Sequence, residues 1–422
     1  MNLSQEWKLV LSCARAALVR SEGRAELPNL PGEPLDWQRV AAIARQNRVA
    51  PLVYPVLRRL ELPSDAQPAL EVSRRVYVAT AARNAVLFGA LRTVLEALSD
   101  ERVPVIVLKG AALAETVYPD RAMRPMSDID LLVPKENLEG AERQLRRVGY
   151  EVAHDPETRE ELRSRHHHWV FRSARHSAGG IPIELHWKLD PPGGPVAWDI
   201  GALFERATPV PPAGALVLGP EDLLLHLCLH LCRHRFNGGV IALCDIAAVV
   251  AHYKGRLDWA KIQALAVKLG ATEYLAVPLQ LAVELMGAGV PPTALTSLRG
   301  PNGDDRAVDL ARERILEEKG VVRGAAELRL RWRRRRVGGR AAAVRRALLP
   351  DTGTKRRRAA GGSKDSHPRY LAHLAGLLRR YGPWLWALAR HPREVSAVVE
   401  REEGKSGLDS WCSASAPPGD SH

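Results

Sequence analysis

The stretch "RPMSDIDLLVP", Arg124 to Pro134, decides how the rest of the sequence is read. Asp128 and Asp130 stand two residues apart in a run that otherwise reads as a core β-strand. Side chains two apart on a strand point to the same face. The fold is therefore asked to set two like charges side by side at the edge of an apolar run. An uncompensated buried ion is strongly destabilising, so a positive group is expected between or beside them. The alternative is a pair of solvated acids managing an exposed strand edge.

Reading outward, "VPVIVLKG" (103–110) is a β-branched run ending in Lys-Gly, a buried strand that turns sharply. "AALAETVY" follows as a short helix, and "KENLEGAERQLRRVGY" (135–150) as a helix ended by Gly149. "HHHWVFRS" (166–173) and "IPIELHWKL" (181–189) read as two further strands joined by a polar turn. Strands alternating with helices, then a hairpin, predict an α/β core over 101–210. Apolar residues at three- and four-residue spacing in 35–60, interrupted near Pro51, and in 82–100 predict an N-terminal helical region over 1–100. Helical spacing returns in a domain over 211–290, with Asp222 expected to cap its first helix. Residues 291–422 form a C-terminal region, rich in Gly, Pro, Arg and Ala to about 365 and expected to be partly flexible. The expected class is α+β: a small mixed sheet flanked by N-terminal helices and a C-terminal helical domain.

Composition narrows the setting. The net charge of +13 is local, since residues 321–358 hold fourteen Lys/Arg against two acids. The opening segment carries charges where a leader's apolar stretch would stand, and no run approaches the roughly 18 apolar residues of a membrane span. Five cysteines without a Cys-x-x-Cys spacing argue against a disulfide framework or zinc knuckle. A cytoplasmic location is the expectation.

Glu184, in "IELHW", is a third acid flanked by apolar residues, on a strand that can pair beside the first. Three convergent carboxylates on rigid strands suit a pair of Mg²⁺ ions, which prefer oxygen donors and borrow further ligands from phosphates. Two such ions activate an attacking hydroxyl and stabilise a leaving pyrophosphate. "LKGAAL" (108–113), "YPDRAMRPMSDIDLLV" (118–133), "HHHWVF" (166–171) and "IELHWKL" (183–189) together resemble the uncharacterised bacterial nucleotidyltransferases of the DNA polymerase beta-like superfamily. The resemblance spans about residues 35–290. It implies that Asp128, Asp130 and Glu184 are the metal-binding and catalytic carboxylates, acting on a nucleoside triphosphate such as ATP.

The superfamily's usual Gly-Ser loop reads Gly110-Ala111 here. Lys109, Arg121 or Arg124 would then supply positive charge to the triphosphate, with Ser127 and the backbone from Gly110 onward beside it. Otherwise Lys109 snorkels from a strand end, and Arg124 is a counter-charge to Asp128. In the histidine run, alternation sends His166 and His168 one way and His167 the other. His167, His168, His186 and His230 are expected to contact the acceptor or support the site, or else to be polar strand ends and helix packing. Asp222, His226, His230 and His234 form one helical stripe, read as cleft lining, packing or a zinc site. Asp245 faces the cleft or pairs with Arg233 or Arg235. The function expected is Mg²⁺-dependent transfer of a nucleoside monophosphate to an unidentified acceptor, a small molecule, protein or RNA. The alternative is a non-catalytic scaffold that binds RNA or an anionic membrane surface through the Arg-rich segment 323–358.

Overall fold

A computed structural model of the chain describes residues 3–18, 27–32, 34–152, 166–173, 180–190, 194, 196–210, 215–300, 305–317, 390 and 411. The Arg-rich segment 323–358 and the stretch 368–392, Arg390 apart, lie outside the described residues. The residues described as far as Leu316, with Trp411, belong to one compact unit.

The chain opens with α1 (Gln5–Leu18), α2 (Trp37–Gln46) and α3 (Ala50–Leu57), packed on one another, with α2 and α3 also on the long α4 (Gln67–Asp100). Asp36 caps α2 by accepting from the Arg39 amide, replacing a bond that a helix start cannot make internally. Pro51 falls in the first turn of α3, where a missing N–H is harmless. The 34 residues of α4 extend about 50 Å at 1.5 Å per residue. Ala69, Leu70 and Val76 of α4 join the core of the N-terminal helices, while Leu87, Leu91, Val94, Leu95 and Leu98 enter a second core beneath the sheet. Burying each of those leucines contributes roughly 1.5–3 kcal/mol, so α4 fixes the N-terminal helices to the sheet.

Among the described residues one sheet has seven strands in the order β3-β4-β5-β2-β1-β7-β6. They are β1 (Val105–Val107), β2 (Ile129–Leu132), β3 (Tyr150–Val152), β4 (His168–Ser173), β5 (Ile183–His186), β6 (Thr208–Val210) and β7 (Ala215–Val217). Helix α5 (Lys109–Thr116) follows β1, and α6 (Leu138–Arg147) follows β2. β2 lies antiparallel to β1 and parallel to β5, and β7 lies parallel to β1. The pleat divides the side chains between two cores. Val105, Val107, Ile129, Leu131, Ile183 and Leu185 join the core with α4 and α6, while Ile106 and Leu132 face the core of the surrounding helices. Asp130 alternates with Ile129 and Leu131, so it shares the face of Leu132.

The remaining elements are α7 (Ile200–Arg206), α8 (Pro220–Arg233), α9 (Val240–His252), α10 (Trp259–Lys268), α11 (Thr272–Met286), α12 (Pro292–Arg299) and α13 (Asp305–Leu316). The mixed α/β class holds, and three details of the sequence reading change. The sheet continues through the β6–β7 hairpin to Val217, across the boundary placed at 210. These three-residue strands are too short to show a period. Asp222 does not cap α8; it is buried and takes both the Nε and Nη2 donors of Arg206. Residues 292–316 are largely helical, because Ala307, Ala311 and Ile315, spaced by four, bury one face of α13, a stripe hidden by the Arg- and Gly-rich composition around it. Trp411 stands 5.6 Å from the Tyr274 ring and 6.5 Å from that of Phe236. No helix among the described residues is long and apolar enough to cross a membrane.

Candidate active site

The register of three strands gathers the polar residues of the sheet's second face. Asp130 of β2 lies directly beside Glu184 of β5, and Leu132 beside His186. On the far side of β5, His168 of β4 lies opposite His186. Asp130 and His186 are almost fully buried, while Asp128, Glu184 and His168 are half-buried. The positive group expected beside the acids is Lys109: its Nζ is 2.7 Å from Asp130 Oδ1. His186 Nε2 approaches the same oxygen at 3.0 Å and Glu184 Oε2 at 3.5 Å.

Lys109 reaches that oxygen from a strained backbone, with φ of +46° at the turn from β1 into α5. A left-handed conformation costs a side-chain-bearing residue roughly 1–2 kcal/mol. A Cβ on Gly110 would stand 3.1 Å from Met126 Cγ, so a side chain there requires the methionine to give by a few tenths of an ångström.

The acids differ electrostatically. Burial pushes the Asp130 carboxyl up, but Lys109 and His186 overcome this and hold it well below the usual carboxylate range. Glu184 is also held low, chiefly by its hydrogen bond with His186. Asp128 is pushed up by burial and by the charges of Asp130 and Glu184, a repulsion that Ser127, 3.1 Å from its Oδ1, only partly relieves. Asp128 is thus the acid whose charge the protein leaves least compensated.

The loop carrying Asp128 is held from behind. Arg83 of α4 donates to the carbonyls of Met126 and Ser127, and Asn84 to those of Arg121 and Arg124. Arg48, between α2 and α3, reaches the Pro125 carbonyl at 3.1 Å. Arg124 pairs with neither Asp128 nor a free cleft: its Nε and Nη2 bond both oxygens of Asp245 on α9, at 2.6 and 2.7 Å. Tyr118 adds a hydroxyl to Asp245 Oδ1 at 2.6 Å. Asp245 therefore pairs with Arg124 rather than with Arg233 or Arg235. Arg121 turns away, its guanidinium over the Phe88 ring and bonded to Glu115.

Histidines line the opposite wall. His168 Nδ1 lies 3.2 Å from His167 Nε2, and the rings of both stand within 5.5 Å of that of His186. Alternation separated His167 from His168, but residue 167 precedes the first residue of β4 and is free of its pleat. Burial pushes His167 down to about 3 and His168 down to about 4. On α8 the rings of His226, His230 and His234 follow one another at 6.0 and 4.3 Å. Arg233 bonds His230 Nδ1 at 3.0 Å and anchors itself on Asp190 and the Leu189 carbonyl. Cys228 and Cys232 are buried free thiols.

A family model described as "Uncharacterised nucleotidyltransferase" matches residues 33–287, from before α2 to the end of α11. The chain belongs to that family. No curated relative and no solved structure matches it. In this nucleotidyltransferase family member, Asp130, Glu184 and His186 offer ligand atoms within 4.8 Å of one another, as do His167, His168 and His186. Asp128 belongs to neither group. The donors of these groups could hold a divalent metal. Sequence reasoning overlooked Arg48, Arg83 and Asn84, which belong to no motif; the one signal was the general need of a loop's backbone carbonyls for donors.

Two variants test this construction. Asp245→Ala leaves Arg124 buried without its partner and is expected to lower stability by about 3–5 kcal/mol in urea unfolding. Lys109→Gly is expected to be more stable than Lys109→Ala by about 1 kcal/mol, because only glycine adopts the left-handed turn without strain. Equal stabilities of the two position-109 variants would mean that the turn relaxes.

Proposed function

We propose that the chain is a divalent-metal-dependent nucleotidyltransferase that moves a nucleoside monophosphate from a triphosphate to an acceptor. The observation that carries this reading is the Asp130–Glu184 pair on adjacent parallel strands, faced by Lys109, in a chain of the nucleotidyltransferase family. An acceptor oxygen forms a bond to the α-phosphorus as the bond from that phosphorus to the α,β-bridging oxygen breaks, and pyrophosphate leaves with the electron pair. Asp128 and Asp130 would hold Mg²⁺ with the triphosphate, and Glu184 would complete the second metal position. Bound there, the ions neutralise developing charge on the phosphate oxygens.

The chain's own groups have separable tasks. Asp128, the least compensated acid, presents the charge a cation lacks elsewhere in the site. Glu184 is half-buried at the cleft and placed to accept the acceptor's proton. Lys109 and the backbone N–H groups opening α5 supply positive character for the phosphates. Arg121 and Arg124 are committed to partners away from the acids; Lys109 is paired with Asp130 itself and would turn to the phosphates only where a metal ion takes over that carboxylate. His230, held by Arg233, would contact the acceptor.

The test uses calorimetry with a non-hydrolysable Mg·ATP analogue, together with transfer from α-labelled triphosphates to lysate metabolites. Asp128→Asn and Asp130→Asn are expected to lower transfer at least ~100-fold with circular dichroism unchanged. Wild-type transfer in the double variant contradicts the assignment.

A further inference from the structure

Lys109 stands where a cation would have to approach Asp130. Its Nζ is 2.7 Å from Asp130 Oδ1, with 15% of the lysine side chain and 6% of the aspartate side chain exposed. The backbone beneath it is held. The Leu108 amide donates to the carbonyl of Asp130 itself at 2.9 Å, and Lys109 sits in the left-handed region at φ of +46°. The movable part is therefore the flexible four-carbon stem with its compact ammonium head.

We infer that Lys109 is an exchangeable counter-ion: it guards Asp130 against a free divalent cation and yields the carboxylate as its ammonium passes to the phosphates of a triphosphate. The inference rests on the proposed reading of Asp130 as a metal ligand. Strand pairing sets Asp130 beside Glu184, and buried carboxylates without a counter-charge are strongly destabilising. The ammonium removes that cost in the unliganded protein. The same pairing opposes a free ion. An ion on Asp130 either shares the carboxylate with the ammonium and is repelled, or displaces an ammonium that is then buried without an anion. Both outcomes are unfavourable in a partly desolvated site. A triphosphate lifts the penalty, because its oxygens offer the displaced ammonium a charge-assisted hydrogen bond. Cation and phosphate binding are thereby coupled, and such coupling is reciprocal. Lys109 is in this sense a specificity-determining residue: it favours the cation that arrives with phosphates over the cation alone. An ion pair that only held the fold together would stabilise the chain without opposing a metal.

Binding of Mn²⁺ alone tests it without reference to turnover. Immobilised Mn²⁺ is read by electron paramagnetic resonance on the full chain with no nucleotide present. Lys109→Met keeps an unbranched stem and removes the charge. It is expected to bind Mn²⁺ at least ~10-fold more tightly than wild type, and to lose that gain when Asp130→Asn is added. Mn²⁺ is also expected to raise the melting temperature of the variant more than that of wild type. Lys109→Gly, which the left-handed turn favours, carries the same comparison if Lys109→Met fails to fold. With a non-hydrolysable ATP analogue at saturating Mn²⁺, the order reverses: Lys109→Met is expected to hold the analogue at least ~10-fold more weakly than wild type. Affinity for Mn²⁺ alone in the variants equal to or below that of wild type, where wild type immobilises Mn²⁺ once the analogue is added, overturns the inference and leaves the metal reading standing. Mn²⁺ immobilised by neither wild type nor variant, with or without the analogue, overturns the metal reading and the inference with it.

Discussion

Two carboxylates, Asp130 and Glu184, are forced side by side by the parallel pairing of β2 with β5. Everything around them reduces that repulsion. Lys109 and His186 converge on one Asp130 oxygen, and the left-handed backbone at Lys109 places the ammonium group there. The compensation is weakest at Asp128, which stays raised by burial and by its acidic neighbours. That imbalance, beside donor atoms of Asp130, Glu184 and His186 within 4.8 Å of one another, supports the proposal of a metal centre on this sheet face.

Holding the acids rigid falls to helices outside the sheet. Arg83 and Asn84 of α4 fix the carbonyls of the loop before Asp128, and Arg124 ties that loop to Asp245 on α9. A buried ion pair is weak evidence for stability in itself, but bidentate geometry between two elements specifies their position. The acids are thereby set against α8, whose histidines form the facing wall. The match to the family covers these helices as well as the sheet, as expected if they position the chemistry together.

Much of this was readable in the sequence because it is periodic. The apolar frames around Asp130 and Glu184 placed these two acids on strand faces, while Asp128, expected on the same strand, lies just before β2. The four-residue stripe of His226, His230 and His234 likewise survived as a column of rings. What escaped depends on contacts between distant residues. Arg124 had two nearby acids in sequence but pairs with Asp245, 121 residues away. Asp222 looks like a cap by position, yet Arg206 from the preceding helix claims both of its oxygens. The grouping of Asp130, Glu184 and His186 depends on strand register, which period alone does not fix: it sets Asp130 beside Glu184 and Leu132 beside His186.

The central claim is that this sheet face binds a divalent cation together with a triphosphate. Electron paramagnetic resonance of Mn²⁺, with phosphorus coupling read by electron–nuclear double resonance, tests it most directly. With the full chain and a non-hydrolysable triphosphate, the account predicts Mn²⁺ immobilised on the protein and coupled to phosphate, and loss of the immobilised signal in Asp130→Asn. Mn²⁺ that stays equally mobile with and without the protein, or binding that is indifferent to Asp130, would contradict it.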